Sequence, residues 1–100
     1  MTKANAVASS EKLAETIIEG AIEKKGQELT LLDLRQLDNA ISDFFVICHG
    51  SSNRQVDAIA DSVIEQVQQH LGEKPINIEG KSQAEWILID YVNVVVHIFQ

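Results

Sequence analysis

One stretch constrains this chain more than any other. Asp43 to His49 (DFFVICH) is a nearly continuous apolar run, Gly50 and Ser51 turn the chain, and a long amphipathic segment follows at once. The run predicts a strand buried on both faces, as in sheets covered by helices. In the following segment Val56, Ile59, Ala60, Val63, Ile64, Val67 and Leu71 keep the helical period. Ser52 and Gln55 have capping-box spacing, and Gly72 with Pro75 stops the pattern. A helix over 53–71 is therefore expected. With a later strand, this unit makes one right-handed crossover.

The other elements are read the same way. Leu13, Ile17 and Ala21, with Ile18 and Ile22 one place on, predict a helix over 11–25. Ser9 or Ser10 caps its start and Gly26 its end, with Lys24 and Lys25 in the last turn. Residues 28–34 read as a strand and 38–42 as a turn. Ile76–Glu79 is a short strand ended by Gly80. Trp86–Asp90 and Val94–Phe99 are rich in β-branched residues and form a hairpin across Tyr91-Val92-Asn93. The order α, β, β, α, β, β, β implies an α/β fold, a single mixed sheet with helices packed on it. A length of 100 residues gives one domain. Residues 1–9 read as a flexible start, too weakly apolar for a signal peptide. The chain stops at Gln100 directly after an apolar strand, where a polar or helical tail is expected.

Charge narrows the function. With 15 acidic and 8 basic side chains, the net charge is -7. Proteins that track phosphates cluster Lys and Arg, so DNA or RNA gripped by its backbone is not the expected partner. An acidic domain suits a basic protein. The single cysteine, Cys48, forms no intrachain disulfide and points to a reducing, cytoplasmic setting. The most apolar segment, Trp86 to Phe99, is interrupted by Asp90, Asn93 and His97 and is too short to span a bilayer, so no membrane is expected.

Three constellations bear on chemistry. Gly50-Ser51-Ser52-Asn53 opens the long helix, where free N–H groups bind phosphate in some proteins. Here Ser52 is the ordinary cap, and neither a Walker lysine nor a G-x-G-x-x-G follows. A nucleotidyltransferase places paired carboxylates on a following strand to hold magnesium. In this chain Asp57 and Asp61 fall on a helix, as a solvated face, and Asp90 stands alone with Leu88 two places before it. His49, His70 and His97 are scattered, and Cys48 points away from His49 by strand alternation. Neither a metal nor another cofactor is expected. Cys48 reads as a small buried side chain without an activating base. The third constellation is the terminal hairpin. Trp86, Leu88 and Asp90 share one face, and Ile87, Ile89 and Tyr91 share the other. Either Trp86 belongs to the core, or it anchors a docking patch beside an acid.

Two blocks carry a resemblance. SDFFVICHGSSNRQVDAIADSV (Ser42–Val63), then Glu79-Gly80, then AEWILIDYVNVVVHIF (Ala84–Phe99) closely resemble the ribosomal silencing factor, or Iojap-like, family. The resemblance implies a nucleotidyltransferase-like α/β fold without catalytic activity. It implies binding to the fourteenth protein of the large ribosomal subunit, which blocks joining of the small subunit and represses translation when nutrients are scarce. Organellar relatives act in large-subunit assembly, and members are commonly homodimers when free. Carried over, the implied contact set is Glu79, Gly80, Trp86, Leu88, Asp90, Tyr91 and His97. Arg54 and Gln55 match too, at a helix start where they serve the fold. Val92-Asn93 stands where the family usually has Gly-Asp, and the family's C-terminal helix is absent after Gln100.

Overall fold

A computed structural model describes residues 9–100. The expected flexible start, Ser9 apart, lies outside the described residues. The elements are α1 (Ser10–Glu23), β1 (Gln27–Asp33), β2 (Phe44–His49), α2 (Asn53–Leu71), β3 (Asn77–Glu79), β4 (Trp86–Asp90) and β5 (Val94–Phe99). The strands form one sheet in the order β1-β2-β5-β4-β3. β2 and β5 run parallel at its centre, and the other pairings are antiparallel. The fold is α/β, a single mixed sheet carrying two helices.

Both helices start and stop where backbone chemistry allows. The Ser9 hydroxyl caps α1 by accepting from the Lys12 amide, and Ser52 caps α2 by accepting from the Gln55 amide. Gly72 ends α2 in the left-handed conformation, with φ 68°. The end of α1 differs from expectation. The helix stops at Glu23, so Lys24 and Lys25 lie beyond its last turn. Lys25, not Gly26, takes the left-handed conformation. Gly26 sits in a close approach instead, since a Cβ there would lie 3.1 Å from the Ala21 carbonyl oxygen, a tight contact.

Register decides the core. The β2–β5 pairs Phe44–Val94, Val46–Val96 and Cys48–Ile98 lie side by side on one sheet face, with Ile87 and Ile89 of β4 next to them. All eight are buried. They pack under Leu13, Ile17 and Ala21 of α1 and Val56, Ile59, Val63 and Val67 of α2. Fully burying each such aliphatic side chain contributes about 1.5–3 kcal/mol. The helices meet at Gly20, where a Cβ would come within 2.9 Å of the Val63 Cα. There the Ser62 hydroxyl donates to the Gly20 carbonyl at 2.8 Å.

The expectation that β2 is buried on both faces is corrected here. Phe44, Val46 and Cys48 are buried, whereas Phe45, Ile47 and His49 are only half-buried. Among the described residues both helices cover the same face. The apolar run is continuous because the outward residues are apolar as well. β1 also departs from simple alternation. Glu28 has φ 53° and the register shifts between Gln27 and Thr30, a bulge just after the first pair, Gln27–His49, with which the strand starts one residue early.

The hairpin turn is tight and strained. The Asn93 amide donates to the Tyr91 carbonyl at 3.0 Å, closing a three-residue turn around Val92, whose φ is 75°. Side chains hold it in place. Asp90 Oδ1 accepts from the Val92 amide at 2.7 Å, and the Ser42 hydroxyl donates to the Val92 carbonyl at 2.8 Å. A β-branched residue in the left-handed region costs on the order of 1–3 kcal/mol, while glycine there costs mainly chain entropy. Val92→Gly is therefore expected to stabilise the domain by about 1 kcal/mol, raising Tm by roughly 4–8 °C. Thermal unfolding followed by circular dichroism checks this; a lower Tm would contradict the strain argument.

Candidate functional site

Among the described residues, no helix covers the sheet face away from α1 and α2, called the bare face below. Strand alternation delivers Phe45, Ile47 and His49 to it from β2, and Val95, His97 and Phe99 from β5. β4 adds Trp86, Leu88 and Asp90, opposite Phe99, His97 and Val95. Asn77 and Glu79 of β3 pair with Asp90 and Leu88 and extend the face to one edge. Leu32 of β1, opposite Phe45, extends it to the other.

Aromatic stacking organises this surface. The Trp86 ring lies 6.2 Å from both His97 and Phe99, tilted by 19° and 23°. Phe45 approaches His97 from β2 at 5.0 Å, and His49 lies 5.7 Å from Phe99. Trp86 remains 39% exposed, which decides between the two readings of it: it is a surface residue held by neighbouring rings. His97 sits among those rings. Its Nε2 is buried and has no hydrogen-bond partner among the described residues. Burial lowers its pKa and so favours the neutral imidazole.

The segment joining β1 to β2 rises beside this face and makes a groove of about 550 Å³. Leu37 and Ile41 stand on one side, with Phe45, Leu88, Asp90 and His97 opposite. Ile41 is 92% exposed at the lip. The walls are thus apolar, with one carboxylate among them.

The residues implied by the resemblance divide into two groups. Glu79, Trp86, Leu88, Asp90 and His97 come together on the bare face. Tyr91 does not: it is buried on the helix side, and its hydroxyl has no partner among the described residues. Burial, with the nearby charge of Glu73, raises the pKa of this phenol. Gly80 is explained by the backbone. Its φ is 85°, and a Cβ there would lie 1.9 Å from the Trp86 carbonyl oxygen, so it shapes the turn leading into β4. Sequence reasoning missed Phe45, Ile47 and Phe99. Their period-two spacing was the available signal, obscured because the inward residues between them are equally apolar.

The other candidate chemistries resolve into structure. At the start of α2, Gln55 Oε1 accepts from the Ser51 amide and hydroxyl, and Gln55 Nε2 donates to the carbonyls of Lys24 and Lys25. That network ties the end of α1 to the start of α2 and occupies the Ser51 amide. Asp57 and Asp61 are not simply a solvated face. They hold Lys81 at 2.6 and 2.5 Å. Partial burial opposes the charge of Lys81, but these hydrogen bonds raise its pKa above the ordinary lysine value. Cys48 is buried among the helices, and desolvation pushes its thiol up to about 11. Among the described residues, no three His, Cys, Asp or Glu side chains converge as a metal site would require. No helix among them is long and apolar enough to cross a membrane.

Among the described residues, fold and face together define an α/β domain with two helices on one side of a mixed sheet and an aromatic surface on the other. The family described as ribosomal silencing factor during starvation matches residues 7–100. A ribosomal silencing factor of Halalkalibacterium halodurans is 38% identical over 91 residues, spanning 91% of this chain and 76% of that protein. One from Bacillus subtilis is 36% identical over 77 residues, but the match spans only 64% of its length. A crystal structure of a Chromobacterium violaceum protein superposes with a TM-score of 0.86 at 30% identity, covering 92% of this chain and 75% of that one. This chain belongs to the ribosomal silencing factor family.

His97 gives the face a pH signature. Its folded pKa lies below the unfolded value near 6.5, so between the two the unfolded state binds more protons. Its contribution is present above pH 6.5 and is lost as pH falls through the folded pKa. Urea unfolding at pH 7.5 and at successively lower pH should show a loss of stability that is smaller in His97→Gln. Equal losses in both proteins would contradict this assignment.

Proposed function

We propose that this chain represses translation by docking its bare sheet face on the fourteenth protein of the large ribosomal subunit. Docked there, it occupies volume that the small subunit needs, and joining is blocked. The single observation that carries this reading is the exposed Trp86, stacked with His97 and Phe99 on a face that no helix among the described residues covers. Large aromatic side chains held rigid by neighbours lose little entropy on binding and anchor interfaces. Asp90 and Glu79 at the margin, and the net charge of -7, suit a basic partner. Steric exclusion requires no bond to be made or broken, so the proposed role is not enzymatic. When free, the chain is proposed to form a homodimer, as family membership suggests.

The test is sedimentation with isolated large subunits, followed by a subunit-joining assay. The protein should co-sediment with large subunits and reduce joining. Failure to bind, or binding that leaves joining intact, would reject the proposal. Trp86→Ala should cost about 2 kcal/mol of binding, roughly thirtyfold, with little change in Tm because the ring lies on the surface. If Trp86→Ala instead unfolds the domain, the ring is acting as a core residue.

A further inference from the structure

A second unfilled surface lies on the opposite side of the molecule. α1 packs against α2 on one flank and over the central strands β2 and β5, while the space beside its other flank, above β1, holds no helix among the described residues. A groove of about 320 Å³ runs there, walled by Ala14 and Ile18 of α1 and floored by Leu31 and Phe44. Ile22, one turn beyond Ile18, is 57% exposed, and Leu31 is 46% exposed. Ala14, Ile18 and Ile22 are spaced four apart, so the flank of α1 facing the groove carries an apolar stripe that runs from buried Ala14 to exposed Ile22. This stripe adjoins the core, of which Ala14 is a member and against which Ile18 packs.

The rim supplies the sign of the partner. Glu11, Glu15 and Glu19 line the groove at the same four-residue spacing, parallel to the apolar stripe. Lys12 pairs with Glu15 and Arg35 with Glu11, both through well-exposed side chains. Such exposed pairs contribute little and are easily exchanged. An apolar seam flanked by a row of like charges is the pattern that selects a helix of opposite flanking charge. A second copy of this chain fits poorly, because its own α1 would bring Glu11, Glu15 and Glu19 against the same three residues.

We infer that the groove between α1 and β1 is a docking site for a basic amphipathic helix, one that would complete the helix layer above β1. The site is distinct from the bare sheet face and does not depend on the function proposed for it. Its occupant carries apolar residues at helical spacing with Lys or Arg beside them.

The experiment uses isotope-labelled protein titrated with a synthetic 18-residue Leu/Lys amphipathic helix (about five turns), and with a twin in which every Lys is Glu. The Lys peptide should cause saturable amide shifts at Ala14, Ile18, Glu19, Ile22 and Leu31, and the Glu twin should cause none. The double variant Glu15→Lys/Glu19→Lys, altered only at exposed positions, should weaken binding at least tenfold while co-sedimentation with large subunits stays unchanged. Unaltered peptide binding by that variant would overturn the inference. So would the absence of shifts, or shifts confined to Trp86, His97 and Phe99. Concentration-dependent shifts at the groove in protein alone would also overturn it, by assigning the site to a second copy. Loss of large-subunit binding by the native chain would reject the function proposed for the sheet face and leave this groove untouched.

Discussion

The parallel pairing of β2 with β5 is the constraint on which the rest depends. Because Phe44 lies beside Val94, Val46 beside Val96 and Cys48 beside Ile98, every inward side chain of the two central strands falls on one face. A shift of one residue would turn each of them outward. The same register sends Phe45, Ile47, His97 and Phe99 to the other face. Core and bare surface are thus two consequences of one alignment. The antiparallel β4 extends both, placing Ile87 and Ile89 under the helices and Trp86 and Leu88 outside.

What keeps the bare face from being merely an exposed core is its chemistry. The inward set is aliphatic apart from Phe44 and Cys48, while the outward set gathers Trp86, Phe45, Phe99 and two histidines around a margin with Asp90 and Glu79. Rings that stack on one another hold their positions before a partner arrives, which lowers the entropy cost of docking. The other features that suggest chemistry have partners within the fold. Ser51, Ser52 and Gln55 satisfy the start of α2, and Lys81 joins Asp57 to Asp61. These assignments leave the bare face as the surface with most to offer a partner.

Much of this was legible in the sequence. Period and caps located α2 to the residue, because Val56 to Leu71 repeat cleanly and Ser52 and Gly72 are strong boundary signals. The hairpin and the split of its residues between two faces followed from alternation alone. What alternation does not say is which faces are covered. DFFVICH reads as doubly buried whether or not a second layer exists, so the bare face of β2, with Phe45 and Ile47, was hidden. Tyr91 fell on the correct strand face, yet its family match drew it into the contact set although it is buried. Long-range features were out of reach as well. The Gly20 contact with Val63 and the grip of Lys81 on two aspartates join residues far apart in sequence, and no local pattern announces them.

The central claim is that the bare sheet face, and not the helix side, meets the large subunit. Hydrogen–deuterium exchange of the chain with and without isolated large subunits tests it most directly. The account predicts slower exchange in β4 and β5 around Trp86 and His97 and in the segment joining β1 to β2, with the amides of α1 and α2 unchanged. Protection confined to the helices, with β4 and β5 unaffected, would contradict it.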